Sequence, residues 1–151
     1  MFAAARRLPE SQTRIISSTL IGLSLPIGSV AAAAALYGRY RALPAFLTGP
    51  TICHLEDNGC QILFRTPLAA VFGVPNSLLG LAYYSSVGVG LAAGWPVLLL
   101  VAAASLALGF SVYLGGRLIR DRLECRICWT GHAANLSLWI GLVVNAIGVR
   151  R

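Results

Sequence analysis

The sequence TPLAAVFGVPNSLLGLAYYSSVGVGLAAGWPVLLLVAAASLALGFSVYLGG, residues 66–116, carries no charged side chain over 51 positions. A single helix of that length would measure about 77 Å, far more than the roughly 30 Å of hydrocarbon in a bilayer. The stretch divides at Gly94-Trp95-Pro96, a turn signal whose aromatic residue is typical of membrane interfaces. Because only helices and closed barrels satisfy their backbone in lipid, we expect two helical spans here, residues 77–93 and 96–116.

Two more uncharged runs flank this stretch and predict a first span at residues 15–38 and a last one at residues 127–149. The first run follows Arg6-Arg7 and so also resembles a secretory signal. Its apolar core exceeds the roughly 7–15 residues of a signal, and we expect it to remain as a span. Small residues in these runs suit close helix contact. The sequence therefore predicts an all-α fold, a polytopic membrane four-helix bundle formed by a single domain over residues 1–151.

The composition agrees with a membrane protein, since 57% of the residues are hydrophobic and only 11% are charged, against about 25% charged in a soluble domain. It argues against a soluble enzyme, a disordered tail and a nucleic-acid binder, in spite of a net charge of +7. All twelve basic residues are arginines, and they cluster at the edges of the apolar runs. Five lie on the side of the termini and seven on the opposite side, so that charge leaves the orientation open.

With four spans, the longest water-exposed segment is residues 39–76, which shares its side of the membrane with the shorter connection 118–126. The middle of this loop, residues 51–60, is polar. Residues 61–74 are apolar enough to predict a short interfacial helix that lies on the membrane surface.

Four cysteines occur, and all lie on the side of this loop: Cys53 and Cys60 within it, Cys125 and Cys128 at the start of the last span. A helix would place Cys125 and Cys128 on one face, close enough for a disulfide. The helix N-terminus and the nearby Arg126 favour a thiolate at Cys128, whereas burial in lipid opposes it. The turn sequence between Cys53 and Cys60 would let one of these sulfurs swing toward Cys125.

Two cysteine pairs, one facing water and one at the bilayer edge, indicate an electron relay, since thiol–disulfide exchange passes oxidation between pairs. A lipid-soluble oxidant, above all a quinone, would then accept the electrons. Two inert structural disulfides are an alternative, and so is a zinc site formed by all four cysteines, although its C-x6-C half is unusually wide. We predict no metal. Attachment of a c-type haem is excluded because Trp129 rather than a histidine follows the C-x-x-C motif.

The order of these motifs resembles the vitamin K epoxide reductase family. A C-x6-C loop follows the first span, Pro75-Asn76-Ser77 and Gly80 open the second, and Cys125-x-x-Cys128 opens the last, so that the resemblance covers residues 15–148. It implies a four-helix bundle around a quinone pocket, with ubiquinone, menaquinone or vitamin K as electron acceptor. It also implies that all four cysteines face the periplasm or the ER lumen and that both termini are cytoplasmic, in a bacterial inner membrane or an ER membrane.

The resemblance further implies roles for individual residues. Cys125 and Cys128 look like the redox-active pair, with Cys128 facing the quinone and Cys125 attacked by the loop. Cys53 and Cys60 look like the shuttle pair, in which Cys60 bridges to Cys125 and Cys53 meets the thiols of a partner. Asn76 matches the family's asparagine that hydrogen-bonds a quinone carbonyl, although its position also suits the N-cap of the second span.

His132 stands where the vertebrate enzymes have a tyrosine, one turn beyond Cys128 on the same helix face. It would donate a hydrogen bond or relay a proton to the second quinone carbonyl; the alternative is a histidine satisfied by a neighbouring helix.

The loop of residues 39–76 is shorter than in the vertebrate enzymes. Many bacterial members carry a fused thioredoxin-like domain, and this sequence shows none, so that we expect a separate thioredoxin-fold thiol protein as partner.

The leading hypothesis is therefore a membrane thiol:quinone oxidoreductase that supplies disulfides to exported proteins. One alternative is a vitamin K epoxide or vitamin K quinone reductase of the ER membrane. Another, from a different class, is a non-catalytic membrane scaffold with structural disulfides or a metal site.

Overall fold

A computed structural model describes residues 9–44, 63–71, 73–122 and 125–149. Of these described residues 85% are helical, which confirms the all-α fold. The described part contains four long helices, one on each of the predicted spans: α1 at Glu10–Tyr40, α2 at Asn76–Ala92, α3 at Val97–Arg120 and α4 at Arg126–Val149.

Three of these helices, α1, α3 and α4, are long and apolar enough to cross a membrane by length and composition. The fourth, α2, has 17 residues and is therefore about 25 Å long, somewhat less than the roughly 30 Å of a hydrocarbon core. Large apolar side chains face outward on every one of them, and Val30, Val89, Leu106 and Ile147 are each more than half exposed. Apolar surface of this extent suits lipid rather than water.

The turn between α2 and α3 forms at the predicted place. Gly94 adopts a left-handed conformation with φ +70°, which favours glycine. The backbone N–H of Trp95 donates to the carbonyl of Gly90 at 2.8 Å, the long-range bond of a Schellman motif, and α2 can extend no further. Pro96 then precedes α3 as its N-cap, where the missing N–H costs no helical hydrogen bond.

The segment that precedes α2 is only partly the interfacial helix predicted for residues 61–74. Residues 63–65 are helical, and a 3₁₀ turn covers Pro67–Ala69. Pro67 prevents a continuous helix because it lacks an N–H and restricts the residue before it. Ala70–Val71 and Val74–Pro75 then form a two-residue antiparallel hairpin that turns at Gly73, with φ +82°.

Two arginines hold this segment against the end of α1. The Nη1 of Arg39, in the last turn of α1, donates to the carbonyl of Phe64 at 2.8 Å. The Nε of Arg65 donates in return to the carbonyl of Arg39 at 3.3 Å. The second bond occupies a carbonyl at the C-terminus of α1 that no helical N–H can reach.

The four helices pack unequally around one another. The most extensive contact joins α1 to α4; α3 packs on α4, α2 packs on α1, and the consecutive helices α2 and α3 touch each other only slightly. Close approach of α1 and α2 depends on Gly28, because a Cβ there would overlap the ring of Tyr84.

The buried side chains form two clusters, one toward each end of the bundle. The cluster near the α2–α3 turn consists of Tyr84, Val87, Leu100, Ala104, Leu138 and Leu142. The cluster near the opposite ends of the helices consists of Ala31, Leu43, Leu63, Phe64, Leu118, Cys125 and Ile127. Between them, at the level of residues 28–35 of α1 and 127–135 of α4, the side chains leave a cavity.

Candidate active site

The cavity has a volume of about 330 Å³ and is bounded by all four helices and by the segment that precedes α2. Its walls are mostly apolar, and a few polar side chains interrupt them: Asn76, Ser77, Tyr83, Tyr84, Ser111, Arg117, Cys128, His132 and Asn135. An apolar pocket of this size with a small number of polar groups is the usual form of a small-molecule site.

The C-x-x-C motif lies at one end of this cavity and forms the start of α4. The carbonyl of Cys125 accepts the backbone N–H of Trp129 at 3.0 Å, so Cys125 immediately precedes the first helical turn. Its sulfur accepts the backbone N–H of Cys128 at 3.3 Å, as the side chain of an N-cap residue does. Two cysteines spaced three apart are thereby brought together by ordinary helix capping.

The two sulfurs of the motif are in direct contact, at 2.7 Å. They differ in surroundings: Cys125 is fully buried in the cluster around Leu63 and Phe64, whereas Cys128 is partly exposed and lines the cavity. The sequence left the state of Cys128 open, since the helix N-terminus and Arg126 favour a thiolate there and burial opposes it. The Sγ of Cys128 donates to Cys125, and this bond, aided by backbone N–H groups, lowers the pKa of the Cys125 thiol although burial opposes the shift.

Asn76 and His132, the two residues predicted to contact a quinone, line the same cavity from different helices. Asn76 is the first residue of α2, and Pro75 rather than Asn76 holds the N-cap position. His132 lies one turn after Cys128 on α4, where its ring meets the edge of Trp129 at a centroid distance of 5.7 Å and an interplanar angle of 77°.

A row of polar contacts joins α4 to α3 along the cavity and beyond it. His132 Nδ1 lies 2.5 Å from the hydroxyl of Ser111. Asn135 Nδ2 donates to the carbonyl of Ala107 at 3.1 Å, as expected for a polar residue in a membrane helix. Farther from the cysteines, Trp139 Nε1 donates to the hydroxyl of Ser105 at 2.9 Å.

From the sequence, no place in the site was assigned to Ser111 or to the two tyrosines of α2. Tyr84 does pack: it is buried, and its hydroxyl donates to the carbonyl of Gly131 at 3.3 Å. Both tyrosines line the cavity, but Tyr83 differs in that its buried hydroxyl has no hydrogen-bond partner among the described residues. Neither Tyr83 nor Ser111 belongs to a recognisable motif, and only the rotation of α2 and α3 about their axes turns them inward.

Cys53 and Cys60 lie outside the described residues. Of the predicted site residues, the structure therefore brings together Cys125, Cys128 and His132 from α4 or its cap and Asn76 from α2.

Comparison with known proteins agrees with this arrangement. The family model described as the vitamin K epoxide reductase family matches residues 19–143. The chain belongs to this family. The matched range runs from α1 to α4 and includes the described lining of the cavity and the C-x-x-C motif.

Searches of curated proteins and of solved structures found no match. The family and the three apolar helices together indicate an integral membrane protein. Membership of the family also implies oxidoreductase activity in general. Family members use quinones, and a flat apolar ring with two carbonyl oxygens fits a cavity that offers apolar walls and few hydrogen-bonding groups.

Proposed function

We propose that the protein is a membrane thiol:quinone oxidoreductase that takes electrons from a thioredoxin-fold partner and passes them through two cysteine pairs to a quinone. Its role would be to support disulfide formation in exported proteins. One observation carries the proposal: Cys128 lies on the wall of an apolar cavity inside the bundle, in contact with a second cysteine buried behind it.

The reaction balances without a metal or any other co-reactant. Oxidation of the Cys125–Cys128 dithiol to a disulfide releases two electrons and two protons, and reduction of a quinone to a quinol consumes the same number. The apolar walls exclude water, and Cys128 is the sulfur with access to the cavity. Asn76 and His132 come from different helices and are the proposed hydrogen-bond donors to the two carbonyl oxygens of the ring.

The burial of Cys125 supports a shuttle. A folded partner cannot reach a thiol that has no exposed surface. The electrons must therefore reach Cys125 through another cysteine of the same chain. Cys60 precedes Leu63 by three residues, and Leu63 packs in the same cluster as Cys125. Three residues span at most about 11 Å, and Cys60 is therefore the loop cysteine that we propose exchanges with Cys125. Cys53, seven residues earlier, is proposed to meet the partner.

We further propose that α2 crosses the membrane in spite of its length, and that the chain forms a single four-span domain. Four crossings place the end of α1, the start of α2, the end of α3 and the C-x-x-C motif on one side, together with the loop cysteines. This side would be extracytoplasmic, where disulfides form and persist. A slightly short helix is accommodated by local thinning of the bilayer at modest cost.

The proposal is tested with purified protein in detergent, a dithiol donor and a short-chain quinone. Quinol formation is expected in the wild type and should vanish in Cys128→Ser, while Ser105→Ala, on the far side of the α3–α4 contact, keeps the wild-type rate. Turnover by Cys128→Ser at the wild-type rate would refute the proposed route. Vitamin K epoxide, offered in parallel, tests the alternative substrate.

A second experiment addresses the partner. In Cys60→Ala, Cys53 has no neighbour with which to resolve a mixed disulfide, so a thioredoxin-fold protein should accumulate as a covalent adduct on Cys53. The adduct should be absent from the double variant Cys53→Ala, Cys60→Ala. A purified thioredoxin-fold dithiol that forms no adduct with Cys60→Ala, and that does not drive quinone reduction in the wild type, would remove this class of partner.

A further inference from the structure

Ser111 differs from the other helical serines whose hydrogen bonds the structure describes. Ser17, Ser18 and Ser105 each donate to a carbonyl three or four residues earlier in their own helix, at 2.8–3.0 Å. Ser111 makes no such bond, and its only hydrogen-bond contact within the described residues is Nδ1 of His132. The hydroxyl of Ser111 is therefore used across helices rather than within its own.

The reason lies in the carbonyl that Ser111 would otherwise use. A serine in a helix commonly donates to the carbonyl four residues earlier, which here belongs to Ala107. That carbonyl already accepts the side-chain amide of Asn135 from α4. Ser111 is only 7% exposed, and a buried hydroxyl without an acceptor is costly. Ser111 Oγ makes no bond to the carbonyl three residues earlier either, so Nδ1 of His132 is the one acceptor that the described residues offer it.

This bond decides the tautomer of the neutral imidazole. A ring nitrogen that accepts a hydrogen bond carries no proton, so the proton must reside on Nε2. Nε2 has no hydrogen-bond partner among the described residues, and His132 lines the cavity. The edge contact with Trp129 restrains the ring further. His132 is thereby held with its single N–H donor unoccupied by protein.

We propose that Ser111 is a positioning residue that fixes His132 as the Nε2–H tautomer, so that His132 donates a hydrogen bond to a carbonyl oxygen of the quinone. The inference rests on the proposed function for its ligand. As the ring accepts electrons, negative charge grows on that oxygen, and a donor already aimed at it inside an apolar cavity is worth more than one that must reorient. The dithiol supplies the two protons of the quinol. Ser111 and His132 therefore need not transfer a proton, and His132 only donates this hydrogen bond.

The nearby contact between Ser105 and Trp139 provides a matched control. It also joins a serine of α3 to an aromatic side chain of α4. Here, however, Trp139 donates to the hydroxyl of Ser105, and that hydroxyl donates to the carbonyl of Val101 in its own helix. Ser105 does not line the cavity. Ser105→Ala therefore removes a bond between the same two helices without touching His132.

The test reads the tautomer directly, by ¹⁵N NMR of histidine-labelled protein in detergent at a pH where the ring is neutral. The chain has two histidines, so His54→Gln assigns both signals. In the wild type and in Ser105→Ala, His132 should show a protonated Nε2 and an unprotonated Nδ1. Ser111→Ala should mix the tautomers, and Ser111→Thr, which keeps the hydroxyl, should restore the wild-type signal.

Quinone kinetics supply the second readout. We expect Ser111→Ala to lower kcat about tenfold and His132→Phe to lower it about a hundredfold, with smaller changes in KM, because the donor acts mainly on the developing charge. A protonated Nδ1 in the wild type would overturn the inference even if Ser111→Ala failed to fold. Unchanged tautomer and unchanged kcat in a folded Ser111→Ala would overturn it as well. Failure of the wild type to reduce any quinone would instead refute the proposed function and leave the tautomer assignment standing.

Discussion

Cys125 has two separable tasks at the scale of the single residue: its sulfur caps α4 and, in the proposed mechanism, it exchanges disulfides. Serine also caps a helix well, whereas alanine does not. Both Cys125→Ser and Cys125→Ala should lack quinone reductase activity. Only the alanine variant should lose stability, by about 1 kcal/mol, because the N–H of Cys128 loses its acceptor. Reversible unfolding in detergent measures the difference, and equal stability of the two variants would show that the sulfur is not a cap.

Asn76 is predicted to bind one carbonyl of the quinone from the start of α2. Asn76→Leu keeps much of the volume of the side chain but removes the amide, so the catalytic efficiency with quinone should fall by about 10- to 100-fold. The stability of the variant should change little in comparison. The check is kcat/KM at saturating dithiol, with Ser105→Ala as the reference; an unchanged value would argue against a carbonyl contact by Asn76.

For single residues, the sequence predicts a site when the residues of a motif are spaced so that one helix brings them together. Cys128 and His132 are four residues apart on α4, and Cys125 caps the same helix three residues before Cys128, so their proximity follows from their spacing alone. Ser111 and Tyr83 could not be found in this way, because their inward orientation depends on how α3 and α2 rotate against α4 and α1. The spacing of the two cysteines also did not indicate which sulfur accepts a backbone N–H, because that depends on which residue occupies the cap position.

At the scale of helices, the contact between α1 and α2 depends on a glycine. A Cβ at Gly28 would overlap the ring of the buried Tyr84, so that the ring or the two helices would have to shift. Gly28→Ala should therefore destabilise the protein by about 1–3 kcal/mol. Gly22, on the same helix, has nothing within 4 Å of its hypothetical Cβ, and Gly22→Ala should be neutral or slightly stabilising. Thermal unfolding of the two variants measures the contrast, and equal melting temperatures would contradict this packing.

The limits of α2 and α3 could be predicted because Gly94-Trp95-Pro96 contains both a residue suited to positive φ and one that cannot continue a helix. The segment before α2 was predicted less well. Its apolar composition indicated one interfacial helix, whereas Pro67 and the turn at Gly73 divide it into a 3₁₀ turn and a small hairpin. Apolar composition reports affinity for the membrane surface, but local backbone restrictions decide the conformation.

At the scale of the whole molecule, the account requires the two ends of α2 to lie on opposite sides of the membrane. Single cysteines introduced into a cysteine-free variant, as Val74→Cys and Ala93→Cys, flank this helix at exposed positions. A membrane-impermeant maleimide applied to intact cells should label the first and not the second. Arg120→Cys, at the end of α3, serves as the control and should label like Val74→Cys. Labelling of Ala93→Cys from outside would contradict the four-span topology.

The bundle as a whole was predictable because uncharged runs longer than a bilayer leave few alternatives to helices in lipid. The cavity was not. It lies in a bundle in which α2 and α3 make little contact and Gly28 lets α1 approach α2 closely, and both features arise from packing among distant residues.

The most direct measurement is a single turnover under anaerobic conditions. Fully reduced protein carrying Cys53→Ser and Cys60→Ser is mixed with a short-chain quinone, and both the quinol formed and the thiols lost at residues 125 and 128 are counted. The account predicts one quinol per chain, matched by the loss of both thiols, and no quinol when Cys128→Ser is added. Quinol formed while the thiol of Cys128 remains intact would contradict it.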